Sequence, residues 1–593
     1  MLPPTDPPFL NVTRSLTGRR WLGRLADDRL TAALTQSRGL PEVVGRVLAA
    51  RGVGLDTVDS FLTPTLRDLL PDPNHLLDME VFADRLARAV TTGEQVVIFG
   101  DYDVDGATSG ALLVRFLRLV GATEPWIYVP DRVAEGYGPN APALLRLQSQ
   151  GAGLVVTVDC GTSAFEALEA AAAAGLDVVV LDHHTAEPRL PPARAIVNPN
   201  RLDEDSPHRT LCAAGVTFLA AIAVNRKLRS QGWFRQRPEP DLMALLDLVA
   251  LGTVCDVMPL TGLNRALVTQ GLKVMARRNN TGLTALADLA GIKEKPTAYH
   301  AGFVLGPRIN AGGRIGRPDL GTRLLSSDDA TEAAEIAQQL DAHNVERKGV
   351  ESGVLEAALA LVEPGQAGGL LFVVGEGWHP GVIGIVAARL MERYHRPTCV
   401  VSRNGGVGKG SGRSVPGIDL GAAVIAARQA GLLLAGGGHR MAAGFTVALD
   451  RIEALHQFLD ERISAQLAEG PGAIEPTLML DGALSVGAAT TELVGTLARL
   501  APFGAGNAEP RFAITDARLV RADVVGTAHV RCILSGAGGG RLKAIAFRAV
   551  ETDLGRALLT TGGRPLHLAG PLRIDRWNGV ESVQLLIDDA AIP

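Results

Sequence analysis

Three short, mainly apolar runs in this chain each end in an acidic residue. The runs cover residues 95–100, 154–158 and 177–181, and the acids that follow them are Asp101, Asp159 and Asp182. Continuous runs of Val, Ile and Leu are typical of strands that are buried on both faces of a parallel sheet. Because ligands of such sheets bind outside the carboxyl ends of the strands, we expect the three acids to lie at one edge of a single sheet.

The acids come in groups that favour a metal site. Asp101, Asp103 and Asp105 are closely spaced, and His183 and His184 directly follow an acidic strand end. Carboxylates that lie close together repel one another unless a cation neutralises them, and oxygen ligands with one or two imidazoles suit Mn²⁺ or Mg²⁺. The spacing lacks the further acids and the downstream Glu of a calcium-binding loop. The sequence therefore predicts a site for Mn²⁺ or Mg²⁺.

Each of these residues also has an ordinary structural interpretation. An Asp after a strand is often a turn former or a helix N-cap, and for Asp159 taken alone that interpretation is the more frequent one. A single His would likewise be structural more often than it would be a ligand. Capping needs only one acid, however, whereas the first group supplies three, and two adjacent histidines follow another strand. The combination favours the metal site.

Length and composition exclude several other classes of protein. A chain of 593 residues exceeds what one hydrophobic core normally holds, so we expect three or more domains. A net charge of −5 argues against a surface that binds polyanions everywhere, so contact with nucleic acid requires a local basic track. The five cysteines form no CxxC pair, which argues against a zinc ribbon or a disulfide framework and fits a reducing cytoplasm. We expect no membrane span and no secretion signal.

The first half of the chain reads as an arm followed by an α/β domain. Residues 1 to about 40 predict a poorly ordered arm and a short helix. From 95 to about 325 apolar strands alternate with helices that are rich in Ala and Leu, which is the pattern of an α/β sheet. A long polar–apolar helix is predicted over 328–361, and it would connect this domain to the next.

The second half reads as another α/β unit and a β domain. The second α/β unit covers about 368–467 and contains two glycine-rich segments, at 405–414 and 436–439, that we predict to be loops. From about 475 onward, short strands are separated by Gly turns, which indicates a small β-barrel or sandwich.

Several motifs, taken in order, resemble one family. They are Asp-Tyr-Asp-Val-Asp-Gly at 101–106, Asp-His-His at 182–184 and Gly-Gly-Gly-His at 436–439, with further segments at 129–132, 135–138, 306–311 and 502–507. Together they resemble the DHH/DHHA1 phosphoesterase superfamily, and within it the RecJ family of single-strand-specific DNA exonucleases. The resemblance implies an α/β DHH domain with a parallel sheet, a long connecting helix, a second α/β DHHA1 domain and a small C-terminal β-barrel of the OB-fold type.

The resemblance also implies domain limits. They are an N-terminal arm over 1–44, the DHH catalytic domain over 45–327, the connecting helix over 328–365, the DHHA1 substrate-binding domain over 366–470 and the OB-fold single-strand-binding domain over 471–593.

Roles for individual residues follow from the same resemblance. The positions that match the family's ligands of two Mn²⁺ or Mg²⁺ ions are Asp103, Asp105, Asp159, His183 and Asp256, with Asp159 bridging the ions. Asp101 and His184 match adjacent catalytic positions nearer to the substrate. The positions that match phosphate-holding groups are Arg132, Arg308, Ser411, Arg413 and His439, of which Arg308 and His439 are also expected to take part in catalysis.

Some of these residues have simpler explanations when they are taken singly. Arg308 or Arg413 would be an ordinary surface or ion-pair arginine as often as a phosphate ligand, and His439 would be a solvent-facing turn residue. The glycine-rich segment at 405–411 lacks the Gly-Lys-Ser/Thr ending of a P-loop, so an NTPase is excluded.

Aromatic residues of the C-terminal part are candidates for stacking on nucleobases. Stacking platforms combine exposed rings with a basic groove, although rings in a small barrel belong to the core more often. Trp577, between Arg576 and Asn578 in an expected turn, is the strongest candidate for an exposed ring that binds nucleic acid. The others are Phe503, Phe512 and Phe547.

These features predict a metal-dependent exonuclease that hydrolyses phosphodiester bonds of single-stranded DNA by two-metal catalysis. The 5′→3′ direction and a role in DNA repair and recombination are implied by the resemblance alone. We expect a cytoplasmic monomer that binds single-stranded DNA, does not contact a membrane, and has a single-strand-binding protein and a helicase as partners.

Two alternatives remain open at this point. One is a DHH-type phosphodiesterase of short oligonucleotides or cyclic dinucleotides, although such enzymes are usually shorter and the appended β unit argues against it. The other is a catalytically inactive relative that serves as a replication scaffold. Such proteins lose ligand carboxylates, whereas every matched ligand position is filled in this chain.

Overall fold

The computed structural model describes residues 7–24, 27–132, 134–362, 368–469, 475–577 and 579–593. Contacts within the chain divide it into two compact units. The first unit comprises Met1–Leu62, Glu351–Ala501 and Ala508–Pro593, and the second comprises Thr63–Val350 and Pro502–Asn507. Neither unit is continuous in sequence, and the domain limits given above stay predictions. Within the residues described, no helix combines the length and the apolarity needed to cross a membrane.

The N-terminal segment is more ordered than the sequence indicates. It contains β1 (Arg20–Gly23), α1 (Asp28–Arg38), α2 (Glu42–Ala50) and α3 (Val58–Leu62). Strand β1 pairs in parallel with residues Thr477–Leu480. Trp21 is fully buried and donates a hydrogen bond from its indole Nε1 to Asp589 Oδ2 at 2.9 Å. The expectation of a poorly ordered arm is therefore wrong for the described residues, because strand pairing and a buried indole hold the segment in place.

The second unit is an α/β fold. Its strands are β2 (Val96–Gly100), β3 (Trp126–Tyr128), β4 (Leu154–Val158), β5 (Asp177–Leu181) and β6 (Ala195–Val197). Its helices are α4 (Leu66–Leu69), α5 (Met79–Thr92), α6 (Val104–Leu119), α7 (Ala141–Ser149), α8 (Phe165–Ala173), α9 (Ala213–Ser230), α10 (Leu246–Cys255), α11 (Gly262–Met275), α12 (Thr281–Leu289), α13 (Gly306–Ile315) and α14 (Leu320–Ser326). A π-helical turn, His300–Leu305, directly precedes α13.

The sheet of this unit aligns the predicted strand ends. Its order is β3–β2–β4–β5–β6, and all neighbouring strands are parallel. Every residue of β2 and β4 is buried, because apolar clusters with helices cover both faces of the sheet. The register pairs Gly100 with Val158 and Val158 with Leu181. The acids that follow these three residues therefore lie at one carboxyl edge, which confirms the prediction.

A long helix connects the two α/β parts, as the sequence predicts. Helix α15 runs over Ala330–Ala360, a length of 31 residues. The division between the two compact units falls within it, after Val350.

The second α/β part lies in the first unit. Its elements are β7 (Leu371–Glu376), α16 (Pro380–Tyr394), β8 (Thr398–Asn404), β9 (Val407–Arg413), α17 (Leu420–Gln429), β10 (Ala435–His439), β11 (Ala442–Ala448) and α18 (Ile452–Glu469). The strand order is β10–β11–β9–β8–β7, with β7 and β8 parallel and the other neighbours antiparallel.

The two glycine-rich segments that the sequence predicts as loops form strands. The first contains β9, and the second lies in β10. Gly408, Gly410 and Gly412 alternate on the buried face of β9, and a Cβ atom at Gly410 would lie 2.1 Å from the ring of Phe445. Glycine occurs there because neighbouring side chains fill the space, which leaves no room for a Cβ atom. The prediction of loops was wrong because glycine in a strand gives the same sequence signal as glycine in a turn.

The C-terminal part is a β domain, as predicted. Its elements are β12 (Thr477–Leu480), β13 (Gly482–Leu484), α19 (Thr491–Ala498), β14 (Phe512–Val525), β15 (His529–Ser535), β16 (Arg541–Ala546), α20 (Asp553–Thr560), β17 (Pro565–Gly570), β18 (Leu572–Trp577), β19 (Val580–Leu586) and β20 (Asp589–Ala591). Apart from β12, which pairs with β1, these strands form a mixed eight-stranded sheet in the order β18–β19–β16–β15–β14–β17–β20, with β13 beside β14.

The glycine packing of β9 predicts a pair of substitutions with different outcomes. Gly410→Ala should destabilise the first unit, because the added methyl group overlaps the Phe445 ring, and overpacking of this kind costs about 1–3 kcal/mol. Gly444→Ala, on the neighbouring strand, should have little effect because its Cβ atom would meet no atom within 4 Å. Thermal melting of the full chain checks both; equal melting temperatures for the two variants would contradict this account of β9.

Candidate metal centre and nucleic-acid interface

The first acidic motif supplies three carboxylates with different supports. Asp103 is the N-cap of α6, where its Oδ1 accepts hydrogen bonds from the amides of Asp105 at 2.8 Å and Gly106 at 3.1 Å. Asp105 accepts from the amides of Ala213 at 2.6 Å and Ala214 at 3.0 Å, at the start of α9. The capping interpretation of Asp103 is thus correct, and it coexists with a position among the other carboxylates.

His183 lies at the centre of a carboxylate cluster. Its Nε2 is 3.3 Å from Asp159 Oδ1, 3.6 Å from Asp256 Oδ2 and 3.8 Å from Asp105 Oδ2. Three groups have ligand atoms that all lie within 4.8 Å of one another. They are Asp159, His183 and His184; Asp105, His183 and Asp256; and Asp101, Asp103 and Asp159. The structure therefore brings together every residue that was predicted as a metal ligand.

The cluster contains buried oxygen atoms that the described residues leave without a hydrogen bond. They are Asp101 Oδ1, Asp159 Oδ1 and Asp256 Oδ2. A buried carboxylate without a partner is costly, so a group that binds these oxygens must compensate. Asp159 also adopts a left-handed backbone conformation, with φ of 61°, which is strained for most residues but tolerated by Asp.

The acids shift one another's protonation equilibria. Burial and the charge of Asp103 raise the pKa of Asp105 to about 6, and burial and the charge of Asp105 raise that of Asp256 to about 8. Burial and neighbouring carboxylates also raise the pKa of Asp101 and of Asp159 well above the ordinary value. Unpartnered oxygens, mutual repulsion and an adjacent imidazole together fit a site for hard divalent cations such as Mn²⁺ or Mg²⁺.

Asp182 orients the histidines. Its Oδ1 accepts hydrogen bonds from the amides of His183 at 2.8 Å and His184 at 3.2 Å and lies 2.7 Å from His184 Nδ1, while Oδ2 accepts from the amide of Thr162 at 3.0 Å. Burial opposes the charge of Asp182, but the hydrogen bond with His184 keeps its pKa below the ordinary value. Burial likewise opposes the charge of His184, and the same hydrogen bond raises its pKa to about 9. The hydrogen bond with Asp182 therefore orients the His184 imidazole and favours its protonated form.

Sequence reasoning missed several residues that hold this arrangement. The Tyr137 hydroxyl donates to the carbonyl oxygen of Asp159 at 2.9 Å. Asn198 donates to the carbonyl oxygen of His184 at 2.8 Å, and Asn200 donates to that of His183 at 2.6 Å. Asn198 directly follows β6, so a polar residue at a fourth strand end was the signal that could have identified it.

The predicted arginines of the second unit occupy different surroundings. The Arg132 guanidinium lies 5.1 Å from the centroid of the Tyr102 ring. Burial raises the pKa of Asp101, and the positive charge of Arg132 opposes this rise. Arg308, on α13, donates from Nε to Asp341 Oδ1 at 2.8 Å and from Nη1 to the carbonyl oxygen of Val304 at 2.7 Å. Arg132 is thus placed beside the cluster, whereas Arg308 is held by an ion pair and its contact with phosphate stays a prediction.

Arg314 was not predicted and lies near the cluster. Helix α13 packs closely on Tyr102, since a Cβ atom at Gly313 would lie 2.4 Å from the carbonyl oxygen of that residue. Burial raises the pKa of the Tyr102 hydroxyl to about 12, and the positive charge of Arg314 opposes this rise. The signal in the sequence was a second arginine after two glycines, six residues beyond Arg308.

Three predicted phosphate-holding residues lie on one face of the second sheet, where α16 packs beside Ser411 and Arg413, since a Cβ atom at Gly384 would lie 2.9 Å from Ser411 Oγ. Ser411 and Arg413 alternate on one face of β9, and Arg413 Nη1 donates to Ser411 Oγ at 3.3 Å. Ala442 of β11 pairs with Arg413 on one side and with His439, which is exposed, on the other. A Cβ atom at Gly444 would meet no atom within 4 Å, so the floor between these residues is open. The register therefore places the three residues on the same face of the sheet, and their contact with phosphate stays a prediction.

Comparison with known families matches these parts in order. The DHH family N-terminal domain matches residues 95–253, the DHHA1 domain matches 367–465 and the RecJ OB domain matches 480–589. The single-stranded-DNA-specific exonuclease RecJ of Escherichia coli (strain K12) is 37% identical over 564 residues, which cover 93% of this chain and 96% of that protein. This chain belongs to the RecJ family.

Two solved structures of a RecJ family member resemble the fold. The crystal structure of RecJ in complex with Mn²⁺ from Thermus thermophilus gives a TM-score of 0.79 at 30% identity and covers 97% of this chain and 79% of that one. The complex of the same protein with Mg²⁺ gives a TM-score of 0.75 at 28% identity and covers 97% and 78%. The order of a DHH domain, a long helix, a DHHA1 domain and an OB domain is therefore confirmed.

The part that matches the RecJ OB domain has one open sheet face. On β15, His529, Arg531 and Ile533 alternate with buried residues. The ring of Phe547, just beyond β16, is 58% exposed and meets the His529 ring edge-on at 5.2 Å between centroids. Strand β16 adds Ile545, which pairs with Arg531 in the register.

Several basic residues on and around this face are paired with acids. The pairs are Arg521 with Asp523 at 2.7 Å, Arg531 with Asp523 at 3.5 Å, Lys543 with Asp575 at 2.9 Å and Arg573 with Glu509 at 2.8 Å.

The four aromatic residues that were predicted to stack on nucleobases have different surroundings. Phe512 is buried in the core, Phe503 is half-buried and belongs to the second unit, Phe547 is exposed, and the side chain of Trp577 lies outside the described residues.

The carboxylate cluster predicts how metal removal changes stability with pH. Asp105 and Asp256 have raised pKa values in the folded protein. Their contribution to the free energy of unfolding is therefore complete below the unfolded pKa of about 4. It is lost as the pH rises through about 6 for Asp105 and about 8 for Asp256. Metal-free protein should therefore lose stability over this range, and Mn²⁺, which stabilises the ionised carboxylates, should raise the melting temperature more at high pH than at low pH.

The measurement is thermal melting with EDTA or Mn²⁺ at about pH 6 and about pH 8.5, on either side of the Asp256 pKa. Asp256→Asn serves as the control, because removing one titrating ligand should reduce the difference between the two pH values. A gain from Mn²⁺ that is the same at both pH values would contradict the account of the cluster.

Proposed function

We propose that this chain is a metal-dependent exonuclease that hydrolyses single-stranded DNA in the 5′→3′ direction. The observation that carries the proposal is the group of buried, partly unpartnered carboxylates around His183 at the edge of the DHH sheet. Its membership of the RecJ family supports DNA as the substrate, since the curated Escherichia coli relative is named a single-stranded-DNA-specific exonuclease. The 5′→3′ direction comes from the family resemblance.

The metal-holding residues in this proposal are the ones that lie within reach of one another. They are Asp103, Asp105, Asp159, His183 and Asp256, with Asp101 beside them. Two divalent cations bound there would neutralise the carboxylates and polarise the scissile phosphate. Asp159 and His183 each belong to two of the three groups, and of these two only the carboxylate has two oxygens that could be shared between two ions, which favours Asp159 for the bridging position.

The residues around the cluster would then bind and orient the strand. Protonated His184, fixed by Asp182, provides a positive group beside the carboxylates and can hold a proton or a phosphate oxygen. Arg132 supplies a guanidinium near Asp101. Arg308 is proposed to contact phosphate as well, by exchanging part of its ion pair with Asp341 for a phosphate oxygen.

The DHHA1 and OB domains are proposed to hold the rest of the strand. Ser411, Arg413 and His439 form a donor-bearing face with a glycine floor, which lets a phosphate approach the backbone closely. The open face of the OB domain offers rings and apolar side chains to bases, with Phe547 as its exposed ring. Because several of its cations, such as Arg531 and Lys543, are already paired with acids, this face should depend on stacking as well as on charge.

The cellular setting is part of the same proposal. We place the enzyme in the cytoplasm as a monomer that acts in DNA repair and recombination. A helicase would supply single strands and a single-strand-binding protein would keep them open, because the proposed substrate has no paired bases.

Replacement of the central carboxylate tests the metal centre. Asp159→Asn keeps the shape of the side chain and removes its charge, so cleavage should fall by at least about a hundredfold, as when a preorganised transition-state contact is lost. The matched control is Asp177→Asn at the amino end of β5, where that carboxylate pairs with Arg85. Single-turnover cleavage of a 5′-labelled and a 3′-labelled strand with Mn²⁺ measures both rate and direction. Activity of Asp159→Asn within about tenfold of wild type would exclude the assignment.

The DHHA1 face gives a second test. Arg413→Ala should lower kcat/KM on single-stranded DNA by about tenfold to a hundredfold, the effect of losing a charged hydrogen bond, while the Mn²⁺ concentration for half-activation stays unchanged. His439→Ala should mainly slow cleavage. Arg440→Ala is the control, since that exposed side chain lies 3.8 Å from Asp419 and outside the proposed face. If Arg413→Ala and His439→Ala both bind and cleave like wild type, this face does not hold the substrate.

A further inference from the structure

An exposed pair of stacked aromatic rings lies on the second unit. Tyr299 is 56% exposed and Phe303 is 74% exposed, and their ring centroids are 5.4 Å apart with an angle of 25° between the planes. Large apolar rings are usually buried, so two of them left in solvent and facing each other require an explanation. The buried residues of the same turn, Ala301 and Leu305, already anchor it to the core. The fold therefore does not need the exposed rings for packing.

The backbone that carries the rings is unusual. Phe303 lies within the π-helical turn His300–Leu305, and Tyr299 directly precedes it. Short π-helical segments are rare and occur frequently at functional sites. The turn leads directly into α13, which carries Arg308 and Arg314.

Direct contacts connect this turn to the metal centre. The Cys255 thiol donates to the carbonyl oxygen of Ala301 at 3.4 Å, and a Cβ atom at Gly306 would lie 2.6 Å from Cys255 Sγ. Cys255 is the last residue of α10, and the next residue is the cluster carboxylate Asp256. Val257 follows with a side chain that is 68% exposed and a left-handed φ of 59°, which is unfavourable for a β-branched residue. The turn that carries the rings is thus packed against the end of α10, where the next residue is a carboxylate of the cluster.

We propose that the Tyr299–Phe303 pair is a stacking platform for a nucleobase of the bound strand close to the scissile phosphate. The inference rests on the proposed function and names the part of the substrate that these residues take. Carboxylates and cations bind the phosphate, but they offer nothing to the base beside it. An aromatic face binds any base, so it suits an enzyme that must release successive nucleotides regardless of sequence. Arg308, one turn further along, would then meet the backbone of the same nucleotide.

The first experiment measures cleavage of ordinary and abasic strands. Phe303→Ala should lower kcat/KM on an ordinary single strand by about fivefold to a hundredfold, the range for loss of one stacked base. A strand of equal length whose nucleotides near the cleaved end carry tetrahydrofuran in place of the base should be a poor substrate for wild type. On that strand Phe303→Ala should cause no further loss, because the two changes remove the same contact.

Control variants separate stacking from structure. Phe303→Trp should retain activity because it keeps a flat ring, and Leu202→Ala, which removes an apolar side chain that is 63% exposed elsewhere in the same unit, should have no effect. The Mn²⁺ concentration for half-activation should be unchanged in Phe303→Ala. An equal loss on ordinary and abasic strands, or weaker activation by Mn²⁺, would mean that the pair only supports the metal centre, and the proposal would be wrong.

Binding without cleavage keeps the inference separate from the proposed function. In an Asp159→Asn background, a strand with 2-aminopurine near its end should show fluorescence quenching that Phe303→Ala reduces. If wild type cleaved no single strand while this quenching persisted, the proposed function would fail and the platform would stand. The proposal would be wrong if Phe303→Ala showed the kinetics and the quenching of wild type. If that variant also lost self-association, the rings would instead be assigned to contact between two copies of the chain.

Discussion

Repulsion among buried carboxylates is the constraint on which the rest of the catalytic unit depends. The register of β2, β4 and β5 brings acids to one edge of the sheet, and Asp105 and Asp256 reach the same place from helices. Amides at the start of α9 offset part of the charge on Asp105, but three oxygens of the cluster remain without a hydrogen bond among the described residues. At a pH where the acids are ionised, bound cations would offset the energy needed to assemble them, so the cluster couples cation binding to the stability of the fold.

Fixed hydrogen-bonding groups around the cluster, both acceptors and donors, set the orientation of the two histidines. Asp182 accepts hydrogen bonds from both histidine amides and contacts the His184 ring. Because its oxygens are used in this way, Asp182 positions the histidines and is not itself a predicted metal ligand. Asn198 and Asn200 hold the carbonyl groups of the same two residues. Because the histidine backbone is bonded on both its amide and carbonyl sides, the imidazoles are preorganised before any ion arrives.

Glycine residues in the second sheet determine where side chains pack and where space remains for a nucleic-acid strand. In β9 the glycines face the core and allow Phe445 to pack against the strand, while Ser411 and Arg413 occupy the opposite face. In β11, by contrast, no atom lies within 4 Å of where a Cβ atom of Gly444 would be, so space remains next to Ser411 and Arg413. Acids pair with several basic residues of the OB domain, among them Arg521 and Lys543, and so reduce its positive charge, in agreement with the small net charge of the chain.

The sequence alone determined the elements that depend on local pattern. Apolar runs that end in acids identified the parallel strands and their common edge, because the burial pattern of a strand and the carboxyl-edge rule act over short stretches, while the family resemblance named the candidate ligands that the structure brings together. Tertiary structure decided what depends on neighbours distant in sequence. Glycines in β9 were predicted as loops because the pairing of this strand with β8 and β11 does not show in the local sequence. The N-terminal segment was predicted as a poorly ordered arm because Asp589 and residues Thr477–Leu480, which hold it, come more than 450 positions later. The exposed Tyr299–Phe303 pair was likewise invisible in the sequence, because exposure is a property of what the completed fold leaves uncovered.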